Sequence, residues 1–194
     1  MKDLQDKGQM RRLILKQRRS LSQKVWQEKS YLVCDRLESL SLFQKSRTIL
    51  AYFSFKQELD LSSLFNKGQR NWGFPRCVGS SLHWHCWQPQ DKLILNSYGI
   101  QEPHPQAPKI SPATVDLILV PAVAIDRFGY RLGYGGGFYD RFLNSPEWCE
   151  KPTVGIVFHD AYLPQLPRDP WDRKLHYICT EFICHRTRTD RGLE

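Results

Sequence analysis

The residues best suited to chemistry lie in one short segment, from Arg131 to Asp140, where four glycines fall within five positions. Glycine adopts positive φ angles and lets the backbone N–H groups approach an anion closely. Arg131 could bind a phosphate through two parallel hydrogen bonds, and Asp140 offers a carboxylate to the magnesium that accompanies a nucleoside triphosphate. The same residues also fit a tight turn closed by an Arg131–Asp140 ion pair. The spacing matches neither the P-loop pattern nor the dinucleotide fingerprint, so both interpretations stay open at this point.

The elements on either side of this segment favour the phosphate interpretation. The apolar run from Asp116 to Val123 is typical of a strand buried on both faces, and Phe138 to Leu143 predicts a helix that ends before Pro146. A helix directs its free N-terminal N–H groups and the positive end of its dipole at an anion. The predicted order is therefore strand, glycine loop, helix.

The rest of the chain predicts an α/β fold. The spacing of Met10, Leu13, Ile14 and Gln17 indicates a first helix, and Ser22 is a suitable N-cap for a second. Asp60 could cap a short helix that stops at Gly68. Further strands are predicted at 48–53, 72–78, 82–87, 153–158 and 176–183. This alternation favours a single-domain, mostly parallel open sheet with helices on both faces, over residues 1–184, followed by a basic, solvated tail at 185–194.

Composition limits the class of protein. A chain of 194 residues, 41% hydrophobic and 25% charged, supports one packed core. No stretch approaches the roughly 20 apolar residues of a membrane span, and the N-terminus lacks the apolar core of a secretory signal, so the sequence predicts a cytoplasmic protein. The six cysteines contain no Cys-x-x-Cys pair, which favours reduced thiols over a structural zinc site.

The net charge of +8 admits a nucleic acid or a small polyanion as partner. The basic residues are concentrated near the two ends of the chain. The N-terminal group is Lys7, Arg11, Arg12, Lys16, Arg18 and Arg19, and the C-terminal group is Arg186, Arg188 and Arg191. A basic nucleic-acid-binding module would use the early cluster but would leave the glycine segment without a function. No nucleic acid partner is therefore expected, whereas a sugar-phosphate or acyl-CoA enzyme on the same fold remains an alternative.

Ordered motifs over nearly the whole chain resemble the 5-formyltetrahydrofolate cyclo-ligase family, also called methenyltetrahydrofolate synthetases. They are Lys7–Arg11, Gln17–Ser22, Tyr52–Glu58, Phe74–Arg76, Gly99–Pro103, Leu117–Ala122, Asp126 with Gly129, Arg131–Gly133, Gly135–Asp140, Val154–Phe158, Leu166–Pro167, Asp172 and Thr180–Glu181. The resemblance implies an ATP-dependent ligase that acts on a reduced folate, with ATP as co-substrate and Mg2+ as metal. A monomer is expected in preference to an oligomer.

The resemblance also implies roles for individual residues. The implied ATP-binding set is Lys7, Arg11, Arg131, Leu132, Gly133, Tyr134, Gly135, Gly136, Gly137, Phe138 and Tyr139. The implied folate-binding set is Phe53, Glu58, Tyr134, Gly135, Gly136, Gly137 and Phe138. Arg131 and Asp140 are the implied catalytic residues, and Asp140 and Asp172 the implied magnesium-binding acids.

Elementary chemistry gives two of these assignments a second basis. One helical turn separates Lys7 from Arg11, so both would project from one face as a cationic site, although a solvated basic helix has the same pattern. A pterin presents an edge of hydrogen-bond donors that one carboxylate, Glu58, could accept, while Phe53 could cover the ring. The alternatives are a surface acid at Glu58 and a core aromatic at Phe53.

Three positions depart from the common family pattern. Tyr134 stands where many relatives have arginine, so one phosphate-directed charge is missing, for which Arg127 or Arg141 could substitute. Trp171 precedes Asp172 where the common pattern has histidine, which removes that histidine from any mechanism. Phe138 replaces a frequent tyrosine and loses its hydroxyl.

Overall fold

A computed structural model describes residues 6–67 and 70–188 of the chain. The helices of this part are α1 (Lys7–Arg19), α2 (Gln23–Ser39), α3 (Ser41–Lys45), α4 (Ser62–Phe65) and α5 (Phe138–Asn144), with 3-10 turns at Pro112–Thr114 and His159–Ala161. The strands are β1 (Thr48–Leu50), β2 (Asn71–Val78), β3 (Ser81–Cys86), β4 (Leu93–Leu95), β5 (Gln101–Pro103), β6 (Leu117–Pro121), β7 (Ala124–Asp126), β8 (Arg131–Leu132), β9 (Thr153–Ile156), β10 (Tyr162–Leu163), β11 (Tyr177–Cys179) and β12 (Cys184–Arg186).

The main sheet confirms the predicted architecture. Its order is β12-β11-β9-β6-β1-β2-β3, and every pair from β11 to β2 is parallel, whereas β12 and β3 add antiparallel edges. The strands predicted at 72–78 and 82–87 are the antiparallel pair β2–β3. The other strands form a small sheet, β10-β7-β8, and the hairpin β4-β5.

Helices cover both faces because the central strands are apolar on both sides. In β6, Leu117 and Leu119 join the core cluster that contains residues of α2, α3 and α4, while Ile118 and Val120 join the cluster that contains residues of α1 and α5. Alternation along a strand therefore divides the core into two layers.

The N-terminal helices confirm most of the sequence prediction. The Asp6 carboxylate caps α1, and Ser22 caps α2 by accepting a hydrogen bond from the Val25 N–H at 3.3 Å. Of the residues whose spacing indicated this helix, Met10 is buried, whereas Leu13 is 55% exposed. Asp60 accepts a hydrogen bond from the Ser62 N–H at the start of α4, and Gly68 lies outside the described residues.

The connection between β6 and the glycine loop is longer than predicted. A tight antiparallel hairpin, β7–β8, precedes the loop, and Asp126 organises its turn by accepting hydrogen bonds from the N–H groups of Phe128 and Tyr130, both at 3.0 Å. The side chain of Asp126 is fully buried, so this residue of the family motif serves to hold the turn of the hairpin.

The C-terminal boundary also differs from the prediction. Strand β12 extends the sheet past residue 184, and the Thr187 N–H donates to the His176 carbonyl at 2.9 Å. Residues 185 and 186 therefore continue the sheet as part of β12, although the side chains of Arg186 and Arg188 are exposed. Residues 189–194, including Arg191, lie outside the described part.

Within residues 6–67 and 70–188, no helix is long and apolar enough to cross a membrane.

Candidate active site

A cavity of about 660 Å³ lies where strands β1 and β6 end. Ligands of open α/β sheets bind at this edge. Every residue that the sequence predicts for the site lines this cavity: Lys7 and Arg11 come from α1, Phe53 and Glu58 follow β1, Arg131–Asp140 follow the β7–β8 turn, and Asp172 precedes β11. The fold thus brings together segments that are far apart in the chain, while the role of each residue remains a prediction.

The buried Arg131 and the partly exposed Asp140 form an ion pair in the lining of this cavity. The Nη2 atom of Arg131 donates to Asp140 Oδ1 at 2.9 Å. Burial lowers the pKa of Arg131 and raises that of Asp140, and in each case the partner's charge opposes the shift. Among the described residues, the buried Nε atom of Arg131 has no hydrogen-bond partner. The ion pair of the tight-turn interpretation therefore exists, but it leaves one buried guanidinium donor unsatisfied.

The glycine loop contacts helix α1 through Arg11. Gly135 and Gly137 have φ angles of 101° and 67°, in the region that favours glycine. The Nε atom of Arg11 donates to the Gly133 carbonyl at 2.7 Å, and its guanidinium carbon is 3.6 Å from where a Cβ at Gly135 would lie. Helix α5 starts directly after Gly137 and has seven residues, so the arginine charges should attract an anion more than its dipole does.

Lys7 forms ion pairs with two acids that also line the cavity. Its Nζ atom lies 2.7 Å from Asp169 Oδ2 and 2.6 Å from Asp172 Oδ2. Partial burial lowers the pKa of Lys7, but the two carboxylates outweigh this effect and raise it, so the ammonium stays charged. The charge of Asp172 also raises the pKa of Asp140, so these two predicted metal-binding acids are close in space. The sequence patterns did not indicate Asp169.

Glu58 also lines the cavity and is buried. Lys56 and Gln57 both have positive φ angles, a strained turn for side-chain-bearing residues that places Glu58 Oε2 3.1 Å from the Phe55 N–H. Burial raises the pKa of Glu58 to about 7, against the lowering effects of Arg18, the Phe55 N–H and Tyr134. The surface-acid interpretation is therefore wrong, because Glu58 is only 6% exposed.

Burial of Glu58 makes the stability of the protein depend on pH. An acid with a raised pKa binds more protons in the folded state, so stability should fall as pH rises from the ordinary value of 4.5 through about 7. We expect Glu58→Gln to avoid a penalty on the order of 3 kcal/mol at pH 8. Urea unfolding of both proteins at pH 5 and pH 8 measures it. If the free energy of unfolding of the variant exceeds that of the parent by the same amount at both pH values, ionisation of the Glu58 carboxyl group is not the cause of the difference.

Phe53 lines the same cavity as Glu58 and packs among aromatic side chains. Its ring stacks on Phe74 with centroids 4.0 Å apart, and it meets Phe65 and Trp87 edge to face. Phe53 is half-buried and lines the cavity, so it is part of the aromatic core and also available to a ligand. Phe53 is thus a core aromatic, and its contact with folate stays a prediction.

A second buried carboxylate, Glu102, lines the same cavity. Its Oε1 atom accepts hydrogen bonds from the Cys77 N–H and the Asn96 amide, both at 2.7 Å, and its Oε2 atom is 3.4 Å from Arg76 Nη1. These contacts hold the β4–β5 hairpin against β2. Glu102 is therefore occupied by the protein, in contrast to Glu58.

The departures from the family pattern have local explanations. Tyr134 receives a short hydrogen bond from Nη2 of Arg18, a buried arginine that the site prediction omitted. Of the two proposed substitutes, Arg141 lies against the glycine loop, where it donates to the Ser80 and Gly136 carbonyls and covers the Phe138 ring at 5.3 Å, whereas Arg127 lies over Phe128. Trp171 is 63% exposed at the cavity rim.

The fold and this cavity define an α/β enzyme with a glycine-rich loop at the carboxyl edge of its sheet. Residues 3–181 match the model of the 5-formyltetrahydrofolate cyclo-ligase family. The chain is 30% identical over 176 residues to the 5-formyltetrahydrofolate cyclo-ligase of Escherichia coli strain K12, covering 87% of this chain and 96% of the relative. It is also 30% identical to the enzyme of that name from Mycolicibacterium smegmatis, covering 90% and 93%.

Two solved structures are similar to this fold. The 5,10-methenyltetrahydrofolate synthetase of Aquifex aeolicus has a TM-score of 0.83 at 33% identity, covering 97% of this chain and 96% of that chain. The synthetase of Mycoplasma pneumoniae has a TM-score of 0.72 at 22% identity, covering 91% and 99%, and shows the fold alone. This chain belongs to the 5-formyltetrahydrofolate cyclo-ligase family, and its activity is that of a ligase.

Proposed function

We propose that the protein uses ATP to convert 5-formyltetrahydrofolate to 5,10-methenyltetrahydrofolate, with release of ADP and phosphate. The observation that carries this proposal is the joint cavity, whose lining includes the glycine loop, Lys7 and Arg11 together with the buried Glu58. A triphosphate and a donor-rich ring could therefore bind side by side.

The chemical difficulty is the loss of oxygen from an unreactive formamide. The formyl oxygen attacks the γ-phosphorus as ADP leaves, which turns that oxygen into part of a phosphate leaving group. The N-10 nitrogen then attacks the formyl carbon, phosphate departs with the former formyl oxygen, and N-10 loses its proton. Such a sequence requires positioning and neutralisation of charge more than it requires a base.

The charged end of the cavity suits this phosphoryl transfer. Three cations line the cavity and would neutralise the triphosphate: the Arg131 guanidinium, the Arg11 guanidinium against the loop and the Lys7 ammonium. Asp140 and Asp172 suit Mg2+, which binds one or two carboxylates and takes its other ligands from phosphates and water. Bound there, the metal would neutralise charge on the transferred phosphoryl group.

The folate end of the cavity suits a pterin. The Glu58 carboxylate has one backbone N–H donor at 3.1 Å, and the aromatic surface beside it includes Phe53 and Tyr134. A pterin edge would supply the further donors that a buried carboxylate requires.

The alternative functions predict different ligands. A sugar-phosphate or acyl-CoA enzyme would not form ADP in response to 5-formyltetrahydrofolate, whereas we expect ADP formation only when both substrates are present. A nucleic-acid module is disfavoured because Lys7, Arg11 and Arg18 contact acids, the loop and Tyr134. A cytoplasmic monomer remains our proposal for the state of the enzyme.

Removal of two charges from α1 tests the ATP end. Replacing Lys7 and Arg11 together by alanine should weaken ATP binding on the order of tenfold or more while changing folate binding little, because both charges line the cavity, Arg11 against the glycine loop and Lys7 beside Asp172. The loss should shrink as salt rises. The matched control replaces Arg12 and Lys16, which are exposed on the same helix. Calorimetric titration of each ligand decides, and equal weakening of both ligands, or the same loss in the control, would count against the assignment.

A further inference from the structure

Arg18 is an unusual residue because it is a buried cation without a carboxylate partner. It is 4% exposed, although its neighbour Arg19 in the last turn of α1 is exposed. Among the described residues, Arg18 forms no ion pair within 4.0 Å, and its Nε atom is buried without a hydrogen-bond partner. Arg18 contacts Tyr134 in two ways. Its Nη2 atom donates a hydrogen bond to the Tyr134 hydroxyl, and its guanidinium carbon lies 5.5 Å from the centroid of the Tyr134 ring. A buried charge of this kind is costly, so its position requires an electrostatic reason.

The nearby group that benefits from this charge is Glu58. Three elements place titratable groups around that carboxyl group: α1 contributes Arg18, the segment after β1 contributes Tyr52, and the loop with α5 contributes Tyr134 and Tyr139. Burial raises the pKa of each of these tyrosines, and the charge of Glu58 raises it further, so all three stay neutral. Arg18 is the cation of this group.

We infer that Arg18 is a positioning residue for folate: through Tyr134 and through its own charge it favours the ionised form of Glu58, which accepts the pterin edge. This inference rests on the proposed assignment of Glu58 to the pterin. Tyr134 connects the two residues, because its hydroxyl accepts from Arg18 and donates to the Phe55 carbonyl at 3.4 Å, and the Phe55 N–H donates to Glu58 Oε2 at 3.1 Å. With the charge of Arg18 in place the pKa of Glu58 is about 7, so loss of that charge would leave more of the carboxyl group protonated at neutral pH and would reduce its acceptor capacity.

The test is the pH dependence of 5-formyltetrahydrofolate binding in the absence of nucleotide. Parent, Arg18→Met and Arg19→Met proteins are titrated by calorimetry from pH 6 to pH 9, in two buffers with different ionisation enthalpies. If the loss of Arg18 raises the pKa of Glu58 by about one unit, Arg18→Met should bind about fivefold more weakly at pH 7 and equally at pH 9. Binding at pH 7 should release roughly half a proton from the parent and nearly one from Arg18→Met. Arg19→Met should match the parent.

A merely structural role for Arg18 predicts a different pattern. Weakening by the same factor at every pH, unchanged proton release, or the same behaviour in Arg19→Met would each overturn the inference. If Arg18→Met does not fold, Arg18→Gln keeps hydrogen-bond donors without the charge and must show the same convergence at pH 9, while Arg18→Lys should restore the parent profile.

A ligand-free measurement separates this inference from the proposed function. The carboxyl carbon of isotopically labelled Glu58 reports its titration by NMR, and Arg18→Met should move that titration to higher pH. If the parent does not bind 5-formyltetrahydrofolate, the pterin assignment fails, whether or not the Glu58 titration moves. If the parent binds and the titration does not move, only the role of Arg18 fails.

Discussion

Asp140→Asn should lower turnover about a hundredfold or more at saturating substrates, because it removes a carboxylate from the region where phosphoryl charge develops. The magnesium concentration needed for half-maximal rate should rise as well. The measurement is the initial rate against magnesium concentration, well below the unfolding temperature. An unchanged rate and magnesium dependence would leave Asp140 with a structural role only.

The structure adds a stability cost that the sequence does not suggest. Asp140 is the ion-pair partner of the buried Arg131, and removal of one member of such a pair costs about 3 kcal/mol or more. Asparagine keeps an oxygen that can accept from Arg131, which limits this cost. The control is Asp169→Asn, since Asp169 is 41% exposed and shares Lys7 with Asp172. It should change the rate much less than Asp140→Asn does, and equal losses would mean that the charge of the acid cluster as a whole is responsible.

Glu58→Gln should weaken 5-formyltetrahydrofolate roughly ten- to a hundredfold, equivalent to about 1 to 3 kcal/mol, and leave ATP affinity unchanged. An amide offers one acceptor oxygen instead of two, and its NH₂ group would face a donor of the pterin. Calorimetry at pH 8 is the right condition because Glu58, with a pKa of about 7, is then mostly ionised in the parent. A variant that binds the folate as tightly as the parent would remove the pterin contact from the proposal.

The matched control for this effect is the other buried carboxylate of the cavity. Glu102→Gln removes a charge whose partners are Arg76, Cys77 and Asn96, so it should lower the thermal midpoint and change folate affinity by less than about threefold. A loss of folate affinity equal to that of Glu58→Gln would place the pterin, at least in part, against Glu102.

Local patterns in the sequence predict much of the fold. The continuous apolar run of β6 indicates burial on both faces, and the structure places its alternate residues in two core layers. The hairpin β7–β8 was missed because its strands have only three and two residues and its turn depends on the buried Asp126. The exposure of Leu13 could not be read from spacing, because spacing indicates a helix while the packing of α1 decides which of its residues are buried.

The site depends more on tertiary structure than the fold does. Composition and spacing leave the segment from Arg131 to Asp140 ambiguous, and the family motifs are what indicate ATP and folate. The burial of Glu58 could not be predicted, because a glutamate before a helix is usually exposed. Arg18 did leave a signal, since residues 7, 11, 14 and 18 share one helical face, but its burial against Tyr134 requires the loop to be in place.

The central claim is tested most directly by following the methenyl chromophore after the purified protein is mixed with 5-formyltetrahydrofolate, ATP and magnesium. We predict that absorbance increases only when all three are present, that one ADP forms for each methenyl product, and that Asp140→Asn and Glu58→Gln proteins are slower under the same conditions. Chromophore formation without ATP, or no chromophore from a folded protein that binds both substrates, would contradict the proposed reaction.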